Sequence, residues 1–131
     1  MLKTKSVHTA IEKQKDGLRL LVARFRGRGL PSSRYDAWLP SLGPSEKLLR
    51  SFKKGEVSWI VFSRKYIDEL FEDGPVDTRN KTIKNHGQKS LLRLIKSLAE
   101  SGNVTVMCHC DENEQHCHRH ILQKVLQSNR V

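Results

Sequence analysis

Two compact apolar runs dominate the pattern of hydrophobic and polar positions along the chain. Residues 18–24 follow a turn signal at Asp16-Gly17, and residues 104–107 are uncharged and show no alternation with polar residues. Runs of this length are typical of buried strands, and the second is expected at the centre of a sheet. A weaker pattern over residues 3–11 predicts a first short strand that leads into a turn or a helical piece.

Apolar residues at helical spacing predict three amphipathic helices, over residues 46–52, 58–72 and 88–100. Ser45 is a suitable N-cap for the first helix, and Gly102 is expected to end the third. The polar segment 73–87 between the last two helices is expected to be either a mobile connector or a lid over a site.

Strands that alternate with helices are typical of the α/β class with a mainly parallel sheet. Because 131 residues is the usual length of one domain, we expect residues 1–131 to form a single compact domain, its sheet flanked by helices. Neighbouring parallel strands point the same way. The loops that follow residues 18–24 and 104–107 should therefore meet at one edge of the sheet.

The chain is basic, with 24 Lys and Arg against 14 Asp and Glu and a formal net charge of +10. This excess favours polyanions or phosphorylated small molecules as partners, although basic residues spread along the chain also fit a charged surface without such a partner. Nucleic acid remains an alternative partner on charge alone, since no helix-turn-helix, zinc-finger or aromatic RNA-binding signature is present.

The cellular environment is inferred from the cysteines and from the apolar runs. Three cysteines is an odd number, and no apolar run approaches the length of about 20 residues that spans a bilayer. The first residues also lack the apolar core of a signal peptide. We therefore expect a cytoplasmic protein with reduced thiols and no membrane partner.

The loop at residues 24–31 combines three arginines with two glycines directly after a predicted strand. Glycines let backbone amides approach an oxyanion, and arginine forks match phosphate or carboxylate oxygens. The sequence therefore predicts an anion-binding loop that uses Arg24, Arg26, Arg28 and Gly29; a flexible basic loop is the alternative. On the second helix, Tyr66 has a hydroxyl that could contribute to the same ligand.

All three cysteines and four of the six histidines lie between Cys108 and His120. The first chemistry that this cluster allows is metal binding, with Cys108, Cys110, Cys117 and His116 as candidate ligands and zinc as the candidate ion. The spacing matches no common zinc module.

The second chemistry is anion binding at a helix start. If a helix begins near Asn113 or Glu114, then Cys117-His118-Arg119 lies in its first turns, where amides and the helix dipole favour a phosphate. The third is nucleophilic catalysis by Cys108 or Cys117, with His118 as general acid or base. No cysteine is followed by five residues and an arginine, so the phosphatase loop signature is absent.

Several motifs spread over most of the chain occur together: Leu21-Val-Ala-Arg24, Arg28-Gly-Leu30, Tyr35-Asp-Ala-Trp-Leu-Pro40, Leu42-Gly-Pro-Ser45, Val106-Met-Cys108 and Cys117-His-Arg119, with Trp59, Phe62, Arg64, Tyr66 and Leu70. In these motifs the chain resembles the domain-of-unknown-function 488 family of bacteria and archaea. The resemblance implies an α/β fold with a parallel sheet and no generally established biochemical role. It points to Arg24, Arg28, Cys108, Cys117, His118 and Arg119 as the residues of interest.

Two features depart from the family pattern. Cys110 stands where many relatives carry an acidic residue, and His109 and His116 are additional histidines, which strengthens the metal alternative. The preferred hypothesis is a phosphate-bearing or other anionic ligand held between the loop of Arg24 to Arg28 and the helix start at Cys117-His118-Arg119. The alternatives are a metal-binding or redox-responsive module and a nucleic-acid-binding accessory protein.

Overall fold

Four parallel strands form one sheet in the computed structural model, which describes residues 1–74, 77–79 and 85–131. In chain order they are β1 (Leu2–Ser6), β2 (Leu18–Leu21), β3 (Ala37–Trp38) and β4 (Val104–Cys108). The sheet order is β1-β4-β2-β3, so β4 is central, as its uniformly apolar sequence predicted. Val104 pairs with Leu2 on one side and with Leu18 on the other.

Helices connect and flank these strands, which confirms the predicted α/β class. They are α1 (Lys13–Asp16), α2 (Glu46–Lys53), α3 (Trp59–Leu70), α4 (Gln88–Ser101) and α5 (His118–Gln127), with short 3-10 turns at Ser32–Arg34 and Pro40–Leu42. The Ser45 and Ser58 side chains cap α2 and α3 by accepting hydrogen bonds from the Leu48 and Val61 amides. The predicted N-cap at Ser45 is therefore confirmed.

The main hydrophobic core lies between the sheet and helices α2 to α5. Alternate strand residues such as Leu20, Val104 and Val106 pack against apolar side chains of the four helices. Leu21 and Met107 belong to a smaller apolar cluster with residues of the loops that follow β1 and β2. Burial of this apolar surface is the main stabilising contribution to the fold.

Two predicted boundaries are wrong. The run 18–24 leaves the sheet after Leu21, although Val22 is fully buried and its amide still donates to Met107. The last helix begins at His118 rather than near residue 113, because the backbone carbonyls of residues 110–112 accept hydrogen bonds from the Arg119 guanidinium. That side chain holds the preceding segment as a loop.

Residues 75–76 and 80–84 of the connector 73–87 lie outside the described residues, and so does the predicted lid. Within the described part of the chain, no helix is long and apolar enough to cross a membrane.

Candidate functional site

The parallel register brings the loops after β2 and β4 to one edge of the sheet, as the sequence predicted. Cys108 is the last residue of β4, and Cys117 is the extended N-cap residue of α5. Both side chains are buried, and their Sγ atoms lie 3.0 Å apart. This separation lies between a disulfide bond of about 2.05 Å and the roughly 3.8 Å that separates two sulfurs on one tetrahedral zinc.

Cys110 completes a cluster of three thiols and is its most exposed member. Its amide donates to Cys108 Sγ at 3.4 Å. The neighbouring thiols of Cys108 and Cys117 lower the pKa of the Cys110 thiol well below its usual range. Interaction with Cys110 raises the pKa of Cys108, and interaction with Cys108 and Cys110 raises that of Cys117. Cys110 is therefore the most acidic of the three thiols.

His118 lies beside the thiols in the first turn of α5. Its Nε2 donates to the Val22 carbonyl at 2.7 Å, and its ring packs edge-on against Tyr66. Burial lowers the pKa of His118 to about 4, even though the hydrogen bond to Val22 opposes that shift. The imidazole is therefore neutral at physiological pH, and Nδ1 is the ring nitrogen left to meet a ligand. Burial is the main cause of this lowering, and the charge of Arg119 adds to it.

Arg119 is fully buried and holds the loop between Cys108 and Cys117. Its Nη1 donates to the Cys110 carbonyl at 3.3 Å, and Nη2 donates to the carbonyls of Asp111 and Glu112 at 3.0 Å each. Nη1 also lies 3.7 Å from Cys117 Sγ, while Nε has no hydrogen-bond partner among the described residues. Among the described residues, no carboxylate lies within 4.0 Å of this guanidinium. The buried positive charge therefore faces the sulfur cluster rather than an acidic side chain.

Ligand atoms of Cys108, Cys117 and His118 all lie within 4.8 Å of one another. His116, the histidine that the sequence suggested as a metal ligand, is exposed and stacks on Trp59 at 4.7 Å. His120 Nε2 contacts the Glu114 carbonyl instead. The structure thus places His118, two positions further along, beside the thiols.

The arginines of the loop after β2 are held in different ways. Arg24 donates to the carbonyls of Gly43 and Pro44, and Arg26 donates to the Tyr35 hydroxyl and the Leu30 carbonyl. These two guanidinium groups therefore fix the loop to neighbouring segments. Arg28, in contrast, is exposed and has no hydrogen bond or ion pair within the described part of the chain.

Tyr66 is fully buried in α3, and its hydroxyl donates to the Leu42 carbonyl. Burial raises its pKa well above its usual value. The sequence suggested that the Tyr66 hydroxyl could contact a ligand. In the structure this hydroxyl links α3 to the turn before α2.

Two residues that the sequence did not single out also lie at this edge. His8 follows the end of β1 and lies with its ring centroid 6.0 Å from that of His109. Arg34 reaches across to the carbonyls of Val7 and Thr9. Had the end of β1 been predicted at Ser6, His8 would have been recognised as a residue at this edge of the sheet. No local sequence pattern identifies Arg34.

Comparison with known proteins gives a family match over nearly the whole chain. The model of DUF488-N3a, described as the active DUF488-N3 subclade, matches residues 2–130. This confirms the resemblance that the sequence motifs carried. No curated protein and no solved structure gives a significant match.

Proposed function

We propose that the chain, which belongs to the DUF488-N3a family, binds one zinc ion through Cys108, Cys110, Cys117 and His118. The observation that carries the proposal is the convergence of Cys108, Cys117 and His118, whose ligand atoms lie within 4.8 Å of one another. Cys110 contributes the third sulfur, since it lies in the same loop and its amide donates to Cys108 Sγ at 3.4 Å. Three thiolates and one imidazole form a common closed ligand set for structural zinc.

The surroundings of the cluster support this assignment. A metal-bound histidine usually donates its second ring N–H to a carbonyl or carboxylate, and His118 already donates Nε2–H to Val22. Zinc with three thiolates and a neutral imidazole carries one net negative charge. The buried guanidinium of Arg119, with Nη1 3.7 Å from Cys117 Sγ, balances that charge.

Metal binding requires a small local adjustment. The Sγ atoms of Cys108 and Cys117, now 3.0 Å apart, must separate by about 0.8 Å to share a tetrahedral ion. Cys110 can follow because it lies in a loop and is only half-buried.

Cobalt substitution tests this proposal. Reduced, chelator-treated protein is titrated with Co²⁺, and we expect the thiolate charge-transfer band and the strong visible bands of tetrahedral cobalt, both displaced by one equivalent of Zn²⁺. Cys110→Ser should weaken the charge-transfer band and lower zinc affinity by at least about 100-fold, more than the roughly 10–100-fold cost of losing an outer hydrogen-bond partner. His116→Gln, a variant of the exposed histidine, is the matched control and should bind as wild type. A six-coordinate spectrum, or a loss caused by His116→Gln alone, would contradict the proposal.

A redox-responsive role of the same thiols is the second candidate, favoured by the 3.0 Å between Cys108 and Cys117 Sγ. Oxidation would form one S–S bond and pass two electrons and two protons to an oxidant such as hydrogen peroxide, which yields two water molecules. Cys110 would remain as a free thiol.

The hypothesis of an anion between the arginine loop and the α5 start stays a prediction. The contacts favour it less than metal binding, because Arg24, Arg26 and Arg119 donate their N–H groups to protein oxygens. Nucleic-acid binding likewise stays a prediction that rests on the net charge of +10.

A further inference from the structure

A basic cleft lies beside the thiol cluster, at the same edge of the sheet. It has a volume of about 350 Å³ and is formed by the segments that follow β1, β2 and β4. The residues used below are among those that line it: His8, Gly27, Arg28, Gly29, Arg34 and His109. None of the four proposed zinc ligands and no carboxylate is among its lining residues.

Two arginines of the cleft differ in how they are held. Arg34 donates to the carbonyls of Val7 and Thr9 through Nε and Nη2, at distances of 2.6 to 3.0 Å. Its Nη1 has no hydrogen bond within the described part of the chain. Arg28 is exposed and has no partner among the described residues. One guanidinium is therefore fixed in the wall, and the other is free to close over a bound group.

The glycines bring the backbone of this loop close to the cleft. Gly27 and Gly29 adopt left-handed conformations, with φ of 86° and 75°. A Cβ on Gly27 would lie 2.9 Å from the His109 ring, so the loop packs directly on that ring, whose Nε2 contacts the Phe25 carbonyl at 3.0 Å. The amides of residues 27–29 donate no hydrogen bond within the described part of the chain. Unpaired successive amides next to arginines favour an oxyanion.

We infer that this cleft binds the phosphate group of a small phosphorylated molecule. The two guanidinium groups and the loop amides supply more donors than the two oxygens of a carboxylate use, and arginine forks match phosphate geometry. The volume of about 350 Å³ is near the lower end of the roughly 300–1,000 Å³ of ligand pockets, which suits a small phosphomonoester. The inference goes beyond zinc binding and does not depend on it.

Amide chemical shifts of the ¹⁵N-labelled full chain test the site directly. The protein is titrated separately with inorganic phosphate, glycerol phosphate, glycerol and a short single-stranded oligonucleotide. We expect saturable shifts of the Gly27, Gly29 and His109 amides with the first two and none with glycerol. Tighter binding of glycerol phosphate would identify a phosphomonoester as the ligand, and tighter binding of inorganic phosphate would identify the free anion. Shifts with the oligonucleotide alone, or shifts elsewhere in the chain, would overturn the inference.

A matched pair of variants separates a site from general electrostatic attraction. Arg28→Ala should weaken phosphate binding at least about tenfold, because it removes charge-assisted hydrogen bonds. Arg64→Ala removes an equal charge from an exposed position on α3 and should leave the affinity unchanged within about twofold. Equal weakening in both variants, or none in Arg28→Ala, would show that the cleft is not a phosphate site.

Discussion

Single buried side chains decide how the loops at the sheet edge are held. Arg119 donates to three consecutive backbone carbonyls and is fully buried, whereas Arg28 is exposed and has no partner in the described part of the chain. Arg119 therefore has a structural role in fixing the loop, whereas nothing in the described part of the chain depends on the Arg28 side chain.

Arg119→Ala is expected to lower the free energy of unfolding by about 3 kcal/mol or more, since it leaves a cavity and frees the loop. The control is Arg28→Ala, whose free energy of unfolding should stay within about 0.5 kcal/mol of wild type. Urea denaturation of both variants and of the wild type measures these free energies. Equal stability of both variants would show that the guanidinium contacts do not hold the loop.

A second residue-scale prediction concerns Asp16, which is buried and paired with Lys5 at 2.9 Å. Burial raises the pKa of Asp16, but hydrogen bonds from the Glu12 amide, Lys5 and Lys3 outweigh it and lower the pKa from 3.8 to about 2. The stabilisation is therefore complete above pH 4 and is lost as the pH falls from about 4 to about 2, by roughly 2 kcal/mol.

Asp16→Asn should reduce stability at neutral pH by on the order of 3 kcal/mol, because Lys5 is left without its main partner. It should also flatten the dependence of unfolding free energy on pH between 4 and 2. Asp68→Asn, at an exposed position of α3, is the control and should retain the wild-type slope. If the unfolding free energy of Asp16→Asn depended on pH as steeply as that of the wild type, the attribution of this pH dependence to Asp16 would be wrong.

At the scale of the elements, apolar patterning located the strands and helices better than their ends. The central position of β4 followed from its uncharged sequence, and the Ser45 cap followed from its side chain. The start of α5 could not be predicted, because it depends on Arg119 reaching back to carbonyls seven to nine residues earlier. For the same reason sequence spacing suggested His116 as a metal ligand, although the later helix start brings His118 to the thiols.

Gly17, which connects α1 to β2, offers a test at the scale of the elements. Gly17 has φ 61° and ψ −132°, and a Cβ there would lie 2.0 Å from the Asn103 carbonyl oxygen, next to the start of β4. Gly17→Ala should therefore destabilise the fold by more than about 3 kcal/mol, as strain and a backbone clash combine. Gly102→Ala, at an extended residue with open space around it, should change stability by less than about 0.5 kcal/mol in the same unfolding assay. A similar loss of stability in both variants would contradict the close approach of Gly17 to the Asn103 carbonyl.

Across the whole molecule, part of the basic excess is used inside the fold. Arg19, Arg24, Arg34 and Arg119 donate to backbone carbonyls, and Lys96 binds the carbonyls of Ser128 and Val131. The net charge of +10 therefore overstates the cationic surface available to a polyanion. The cleft at Arg28 is a more specific place for an anion than the surface as a whole.

Zinc removal should affect the stability of the entire chain, because an ion that binds only the folded state stabilises it by mass action. A strong chelator is expected to lower the midpoint of thermal unfolding by on the order of 10 °C. Cys110→Ser, which lacks one ligand, should respond little to the chelator. If the chelator did not change the midpoint of thermal unfolding of the wild type, the protein would hold no stabilising metal.

Elemental analysis combined with thiol titration on one sample tests the central claim most directly. Protein purified without chelator should contain about one zinc per chain, and denaturation with a chelator should release three free thiols, from Cys108, Cys110 and Cys117. A metal-free sample with three free thiols would contradict the zinc site. A metal-free sample with one free thiol would contradict it as well and would instead show that two of the three cysteines form a disulfide.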